Sequence, residues 1–226
     1  DSVVGGNDFD GKIDDVRMYP YARTPFQIVQ DYEEFAGHWK LDDNVSGGDN
    51  TIADFSENAN HGLTKGDTDC TVGGKFGAGA CFFDGNSDYI DMGDPADGTL
   101  DFGTDNFSIG YWFNTTATTR QFLLFKGAGG APRYFSEFPN GSGVGCTLHT
   151  TSLENHIVYT GGNYKDGNWH YLVCVFDRAV TQTGYLYVDG ELITNNNWEC
   201  NIWGIDSCYG GTVCGARLGT DTQILY

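Results

Sequence analysis

The sequence predicts an all-β protein built as an antiparallel sandwich, and three observations support this fold class. Short apolar segments recur along the chain at lengths and spacings typical of strands. Turn signals return about every 10 residues, and 33 glycines are available for tight turns. Only one segment, near the N-terminus, has helical spacing. Strands that follow one another without intervening helices favour a sandwich over alternating strand–helix units.

Several strands can be placed from their apolar patterns. In residues 106–114 (NFSIGYWFN) every second residue from Phe107 is aromatic or isoleucine, which predicts one buried face. Residues 169–177 (WHYLVCVFD) are apolar on both faces, as expected of a central strand. Residues 183–193 (TGYLYVDGELI) contain an Asp-Gly pair and predict a hairpin. Two further strands are predicted at residues 120–127 (RQFLLFKG) and 154–162 (ENHIVYTGG).

The one predicted helix covers residues 24–35 (TPFQIVQDYEEF). Thr24 is a suitable N-cap residue, and Pro25 would occupy the first helical position, where its missing N–H costs nothing. Phe26, Val29 and Tyr32 recur at helical spacing. We therefore expect one short helix near the N-terminus.

Length and charge exclude several classes of partner. The 226 residues allow one large β domain or two small ones. A net charge of -19, with the basic residues scattered singly, argues against nucleic acid and anionic membranes. No stretch approaches the length of apolar chain that a transmembrane helix needs. We expect no nucleic acid partner and no membrane insertion.

The cysteines indicate an oxidising, extracellular or cell-surface environment. Seven cysteines occur without CxxC spacing and away from the five histidines, so a zinc site is not expected. Four Asn-x-Ser/Thr sequons, which are compatible with secretion, begin at Asn44, Asn106, Asn114 and Asn140. The odd number of cysteines leaves at least one thiol free or paired between chains.

The sequence suggests some cysteine pairs and leaves others open. Cys70 and Cys81 flank a glycine-rich stretch that lets the chain double back, which makes a local disulfide plausible. Cys200 with Cys208 would close a later loop, and Cys208 with Cys214 is the rival pairing. Cys174 lies in the most apolar strand and is interpreted as a small buried hydrophobic residue.

Several motifs, in order along the chain, resemble one family. Residues 166–192 (DGNWHYLVCVFDRAVTQTGYLYVDGEL) resemble the central signature of laminin G-like domains of the concanavalin A-like jelly-roll superfamily. GHWKLDDN with ADFSENANHGL resembles the opening of such domains, and GKFGAGACFFDGNSDYIDMGD resembles the next strand pair. The resemblance covers roughly residues 37–219. It implies a two-sheet antiparallel jelly-roll sandwich that is usually extracellular, often holds one Ca²⁺, and binds glycans or proteins or serves as a spacer.

The family's last strand lies at the wrong end of this chain. Residues 9–28 (FDGKIDDVRMYPYARTPFQI) resemble the closing strand and following helix of these domains, yet they precede the opening strand. We interpret residues 1–35 as a closing strand and helix, donated or permuted, and residues 36–226 as a sandwich that lacks its own closing strand.

The missing strand can come from three sources: the same chain, the next subunit, or a preceding domain of a longer chain. The helix leads into GHWKLDD with almost no spacer, as expected of domains in tandem. We therefore predict that Asp8–Tyr19 completes a sandwich other than its own, so that copies associate head to tail in an array or filament.

The resemblance also implies a calcium site. Asp14 matches a position from which relatives often contribute a carboxylate, and its expected partners are Asp42, Asp84 and Gly85. The alternative is that these aspartates cap turns and remain solvated, which is the commoner role of a single Asp.

Catalysis is not expected. Glycoside hydrolases of this superfamily carry paired carboxylates on one strand, and no E-x-D-x-E or E-x-D-x-x-E pattern occurs here. No G-x-S-x-G nucleophile motif occurs either.

A long loop offers a candidate ligand-binding surface. Residues 193–211 carry Trp198, Trp203 and Tyr209 among asparagines, a composition suited to stacking on sugars. The alternative is that these rings form a small core beneath the loop. Two functions therefore remain: a structural or adhesive extracellular module, and a carbohydrate-binding lectin domain.

Overall fold

A computed structural model describes residues 22, 35–102, 105–126, 133–138, 143–149, 154–159, 162–177 and 183–197. The chain divides into two compact units, Asp1–Glu34 and Phe35–Tyr226. The described part of the second unit contains strands and no helix, which confirms the all-β prediction. The predicted closing strand and nearly all of the predicted helix lie outside the described residues. No helix long and apolar enough to cross a membrane occurs in the described ranges.

Thirteen strands are described in the second unit, and those predicted from the sequence lie within a residue or a few of their expected bounds. They are β1 Thr51–Ile52, β2 Gly62–Lys65, β3 Asp69–Val72, β4 Ala80–Phe82, β5 Tyr89–Asp91, β6 Phe107–Phe113, β7 Gln121–Lys126, β8 Arg133–Phe138, β9 Val144–His149, β10 Glu154–Tyr159, β11 His170–Asp177, β12 Thr183–Val188 and β13 Glu191–Asn197.

The described strands form two four-stranded sheets and two smaller ones. One large sheet has the order β13-β12-β11-β6 and the other β10-β9-β8-β7; the smaller sheets are β1-β2-β5 and β3-β4. Neighbouring strands are antiparallel throughout. β11 pairs with β6 on one side and β12 on the other, so the strand predicted to be central is central.

The main core lies between the two large sheets. β11 contributes Leu172, Cys174 and Phe176, each with no exposed surface. The ring of Phe107 on β6 stacks on Phe176 with a centroid separation of 4.5 Å. The facing sheet contributes apolar side chains from β8 and β9, namely Tyr134, Phe138, Val144, Cys146 and Leu148. The buried faces match the period of two that strands require.

Among the described residues, a hydrogen bond and a disulfide connect the large sheets through this core. The hydroxyl of Tyr111 on β6 donates a hydrogen bond of 2.7 Å to Oγ of Ser136 on β8. Burial raises the pKa of Tyr111, so the group remains a hydroxyl and a donor. Cys146 on β9 forms a disulfide with Cys174 on β11. The interpretation of Cys174 as an unpaired buried residue is therefore wrong, because its apolar surroundings bring a second cysteine to it.

A second core packs beneath the smaller sheets, around Ile52, Ile90 and Met92. Beside it, the carboxylate of Asp54 organises the opening segment. It accepts hydrogen bonds from the backbone N–H groups of His38 at 2.7 Å and Asn60 at 2.8 Å. It also accepts bonds from the N–H and hydroxyl of Ser56. The D-x-S motif thus has a structural role, because one carboxylate satisfies four donors.

Candidate binding site

A histidine held by two carboxylates lies at one end of the β11–β12 hairpin. His170 begins β11, Asp189 occupies the hairpin turn, and Asp166 lies four residues before the histidine. Nδ1 of His170 is 2.7 Å from Oδ2 of Asp189, and Nε2 is 3.2 Å from Oδ1 of Asp166. Asp189 also accepts the N–H of Tyr171 at 2.9 Å. The segments DGNWH (residues 166–170) and YVDG (residues 187–190) are separated in sequence, and this contact joins them.

The two carboxylates favour the protonated imidazole. Burial by itself would lower the pKa of His170, but hydrogen bonds with Asp189 and Asp166 outweigh it and the pKa is raised. The pKa of Asp166 falls to about 2, chiefly because the N–H and side-chain amide of Asn168 bind its carboxylate. Burial raises the pKa of Asp189, but the bonds from His170 and Tyr171 bring it below its usual value.

This arrangement is suited to holding the hairpin rather than to acid–base chemistry. A general base needs a free nitrogen directed at a substrate proton, whereas both nitrogens of His170 face carboxylates. We refer to His170, Asp166 and Asp189 as the histidine latch.

The latch predicts a distinct pH dependence of stability. A raised histidine pKa adds stability that is complete below the ordinary value of about 6.5 and is lost as pH rises through the folded-state pKa. The lowered Asp pKa values add stability present above about 3.9 and lost as pH falls. When the pH is raised from about 5.5 to about 8.5, the free energy of unfolding of the wild type should fall by about 1 kcal/mol more than that of His170→Gln. The expected difference is small because Asp189 is partly exposed to solvent.

Urea unfolding at both pH values measures this difference. His61→Gln provides a histidine control outside the latch, because Nδ1 of His61 accepts a hydrogen bond from the backbone N–H of Asp54 and contacts no latch residue through that bond. Parallel pH profiles for the wild type and His170→Gln would contradict the role assigned to the latch.

An aromatic cluster lies beside the latch, on the face of the β6–β11 sheet that points away from the main core. It consists of Phe76, Trp112 and Tyr171, with Lys75 over the indole. The ring of Trp112 lies 5.3 Å from Phe76 and 5.2 Å from Tyr171. The Lys75 ammonium is 5.0 Å from the Trp112 ring centroid, within cation–π range. Phe76 is 67% exposed, so the cluster has an open aromatic side.

Strand register explains how the cluster forms. Trp112 and Tyr171 are directly opposed on β6 and β11. Gly110, the next outward residue of β6, leaves room for the tyrosine, since a Cβ there would lie 2.8 Å from the Tyr171 hydroxyl oxygen. The Lys75 charge also contributes to the lowered pKa of Asp189, which connects the cluster to the latch.

The sequence contains a signal for this cluster in the alternation of β6. If Phe107, Ile109, Tyr111 and Phe113 face the core, Trp112 must face the opposite way. Antiparallel sheets usually present polar residues on their outer face. An outward tryptophan next to an outward tyrosine departs from this pattern and therefore indicates an aromatic cluster on the outer face of the sheet.

The residues predicted to bind calcium are described only in part. Asp84 Oδ1 accepts the N–H of Asn86 at 2.6 Å, and Gly85 has a φ of +80°, which together make a tight turn. Asp42 lies over Gly77, where a Cβ would come within 2.7 Å of Oδ2. In the described part of the chain no three His, Cys, Asp or Glu side chains are grouped to hold a metal ion. Asp14 is outside the described residues, and the calcium site stays a prediction.

The remaining predicted site residues have different outcomes. Cys70 and Cys81 form a disulfide, the pair suggested by the sequence. The other predicted disulfide and ligand-binding residues, Trp198, Cys200, Trp203, Cys208 and Tyr209, lie outside the described residues.

Comparison with known proteins establishes the family. The two facing antiparallel sheets define an all-β sandwich of the jelly-roll class. Residues 56–203 match the laminin G family model described as "Concanavalin A-like lectin/glucanases superfamily", and the chain belongs to this family. No curated protein matches the sequence.

Solved structures match parts of the chain at low sequence identity. The binding domain of Botulinum neurotoxin DC, solved with rat synaptotagmin II, has a TM-score of 0.51 and 11% identity, covering 70% of this chain and 40% of that one. The Ruminococcus gnavus IT-sialidase CBM40 bound to α2,3 sialyllactose has a TM-score of 0.43 and 18% identity, covering 54% of this chain. This chain spans 64% of the length of that module. An S-layer domain-containing protein from Clostridium thermocellum ATCC 27405 has a TM-score of 0.45 and 20% identity, covering 71% of each chain.

Proposed function

We propose that this chain is a non-catalytic structural or adhesive module of an extracellular protein, in which Asp8–Tyr19 completes the sandwich of a neighbouring copy. The observation that carries the proposal is the position of the closing-strand motif ahead of the sandwich. Two disulfides support an oxidising, extracellular setting. The occupied nitrogens of His170 are in keeping with a role other than catalysis.

The position of β7 among the described strands gives further support. β7 pairs with β8 and with no other described strand. Residues 121–125 of β7 are nevertheless half-buried along both faces. Among the described strands β7 therefore lies at the edge of its sheet, and a strand at a sheet edge can accept an added strand.

Deletion of residues 1–35 tests strand donation. We expect the full chain to form oligomers whose size rises with concentration, and the deletion variant to remain folded and monomeric because only the donor is lost. Analytical ultracentrifugation with circular dichroism measures both properties. In the full chain, Ile13→Asp should weaken oligomer formation because it removes an apolar side chain from the donor strand, whereas Lys12→Asp, which removes none, is the control. A full chain that stays monomeric at every concentration, together with a deletion variant that unfolds, would show instead that the strand completes its own sandwich.

A carbohydrate-binding lectin domain is the second candidate, favoured by the aromatic cluster. Sugars present C–H patches that pack on aromatic faces beside hydroxyls that need polar partners. The exposed Phe76 ring and the Trp112 indole supply the first, and Lys75 and Asp189 supply the second. Satellite hydrophobic clusters also occur without ligands, so binding has to be measured.

Glycan-array binding of Trp112→Ala tests the lectin candidate. We expect a ligand of the wild type to lose about 10-fold or more in affinity, since stacking on an aromatic ring contributes on the order of 1–3 kcal/mol. Phe82→Ala is the control, because Phe82 is 57% exposed and is not part of the cluster. Equal binding by both variants, or no binding by the wild type, would reject this site as a lectin site.

A further inference from the structure

Lys126, the last residue of β7, is an unusual buried lysine. Its side chain is 0% exposed, although lysine is almost never fully buried unless it is paired. It lies opposite Tyr134 in the strand register, and the Tyr134 ring packs on Phe102 and Phe107. The Lys126 side chain is therefore buried next to an aromatic part of the main core.

Two carboxylates contact this amine in different ways. Nζ of Lys126 donates a hydrogen bond of 2.9 Å to Oδ1 of Asp94, whose side chain is 29% exposed. Nζ is also 3.1 Å from Oδ1 of Asp101, whose side chain is 15% exposed. This Asp101 oxygen is buried and accepts no hydrogen bond from the described residues. Asp94 is thus placed to exchange a proton with the amine, whereas Asp101 touches it without a hydrogen bond.

The charges of this cluster make a simple ion pair costly. One ammonium and two carboxylates leave an excess negative charge in a mostly buried place, and each buried charge carries a desolvation penalty. The carboxylate oxygen without a hydrogen bond adds to that penalty. Joining Lys126 to one carboxylate as an amide would replace two charges by a neutral group.

We propose that Lys126 and Asp101 condense to an intramolecular isopeptide bond, with Asp94 transferring the proton. Nζ of Lys126 is 3.1 Å from Oδ1 of Asp101, so the amine lies against the carboxyl group that would react, and groups held together in this way reach very high effective concentrations. The bond would tie the segment before β6 to the end of β7, on the border of the main core.

The reaction balances without an oxidant or cofactor. The Lys126 ammonium first gives a proton to the Asp101 carboxylate, which leaves the total charge unchanged. The neutral amine then attacks Cγ of the Asp101 carboxyl group and passes a second proton to the Asp94 carboxylate. Asp94 then returns this proton to the departing hydroxyl group. One C–N bond forms, one C–O bond breaks, and one water molecule leaves. Asp94 ends in the protonation state in which it began.

Intact mass of the full chain, measured in denaturant after reduction of the disulfides, tests the proposal. We expect the mass to be lower than that of the sequence by one water molecule. Trypsin should then fail to cleave after Lys126, and the peptide containing Lys126 should appear cross-linked to the peptide containing Asp101. A full mass with normal cleavage overturns the proposal. A cross-link that fragmentation places on Asp94 overturns the roles given to the two aspartates.

Variants distinguish the reaction from other sources of a mass change. Lys126→Arg keeps the positive charge but has no amine that can form this amide, so its full mass should be restored. Asp101→Asn should lose ammonia instead of water, because the leaving group changes. Asp94→Asn should slow the mass loss by at least 10-fold, in line with the usual contribution of a general base. Asp49→Asn alters the exposed pair with Lys65 and should leave the water loss unchanged. Loss of water from Lys126→Arg would overturn the assignment to Lys126.

Discussion

Replacing Lys126 by methionine is expected to lower the free energy of unfolding by about 3 kcal/mol, because it leaves two carboxylates without their shared cation. Methionine has a similar volume, so the effect does not arise from a cavity. The side chain of Lys126 is fully buried, and its Nζ contacts Asp94 and Asp101. The loss is expected whether an ion pair or an amide joins Lys126 to Asp101, since the substitution removes both. Chemical denaturation followed by tryptophan fluorescence measures it.

Two further variants separate charge from packing. Adding Asp94→Asn and Asp101→Asn to Lys126→Met removes the uncompensated charges and should recover part of the lost stability, a non-additive result typical of groups in contact. Lys65→Met is the matched control, because Lys65 pairs at the surface with the largely exposed Asp49 and should have little effect. Lys126→Met with wild-type stability would contradict the description of this cluster.

The strands that the sequence predicted are those with a clear pattern. β6 alternates apolar and small residues, and β12–β13 carry an Asp-Gly turn, so both signals were local. β9 (VGCTLH) gave no such signal, because it is buried on both faces and therefore need not alternate. A strand of small and polar residues in the middle of a sheet is recognised from its neighbours rather than from its own sequence.

The buried Lys126 cluster and the histidine latch form through contacts between segments that are separated in sequence. Local sequence patterns therefore could not predict them. Lys126 ends an apolar strand, where a lysine is usually solvated. Only the folding of the segment containing Asp94 and Asp101 against β7 makes it a buried cluster. The latch is similar: its motifs are visible at residues 166–170 and at Asp189, but their direct contact requires the β11–β12 register.

The pairing of Cys174 illustrates the same limit and leads to the second large expected effect. Its partner, Cys146, is 28 residues away, on β9 of the facing sheet. A disulfide stabilises mainly by restricting the unfolded chain, and a loop of 28 residues corresponds to about 3.6 kcal/mol. We expect the double variant Cys146→Ala, Cys174→Ala to lose about this amount in urea unfolding. Both residues have no exposed surface, so lost packing adds to the entropic effect.

The Cys70–Cys81 disulfide provides the internal comparison. It closes a loop of only 11 residues, for which the same relation gives about 2.8 kcal/mol. The double variant Cys70→Ala, Cys81→Ala should therefore be less destabilised than the variant without the Cys146–Cys174 bond. The two double variants should differ in free energy of unfolding by more than the loop lengths alone give. The reason is that Cys146 and Cys174 join the two large sheets through the main core, whereas Cys70 belongs to the second core. If removing the Cys70–Cys81 bond costs more, the disulfide between β9 and β11 is not the principal cross-link of the sandwich.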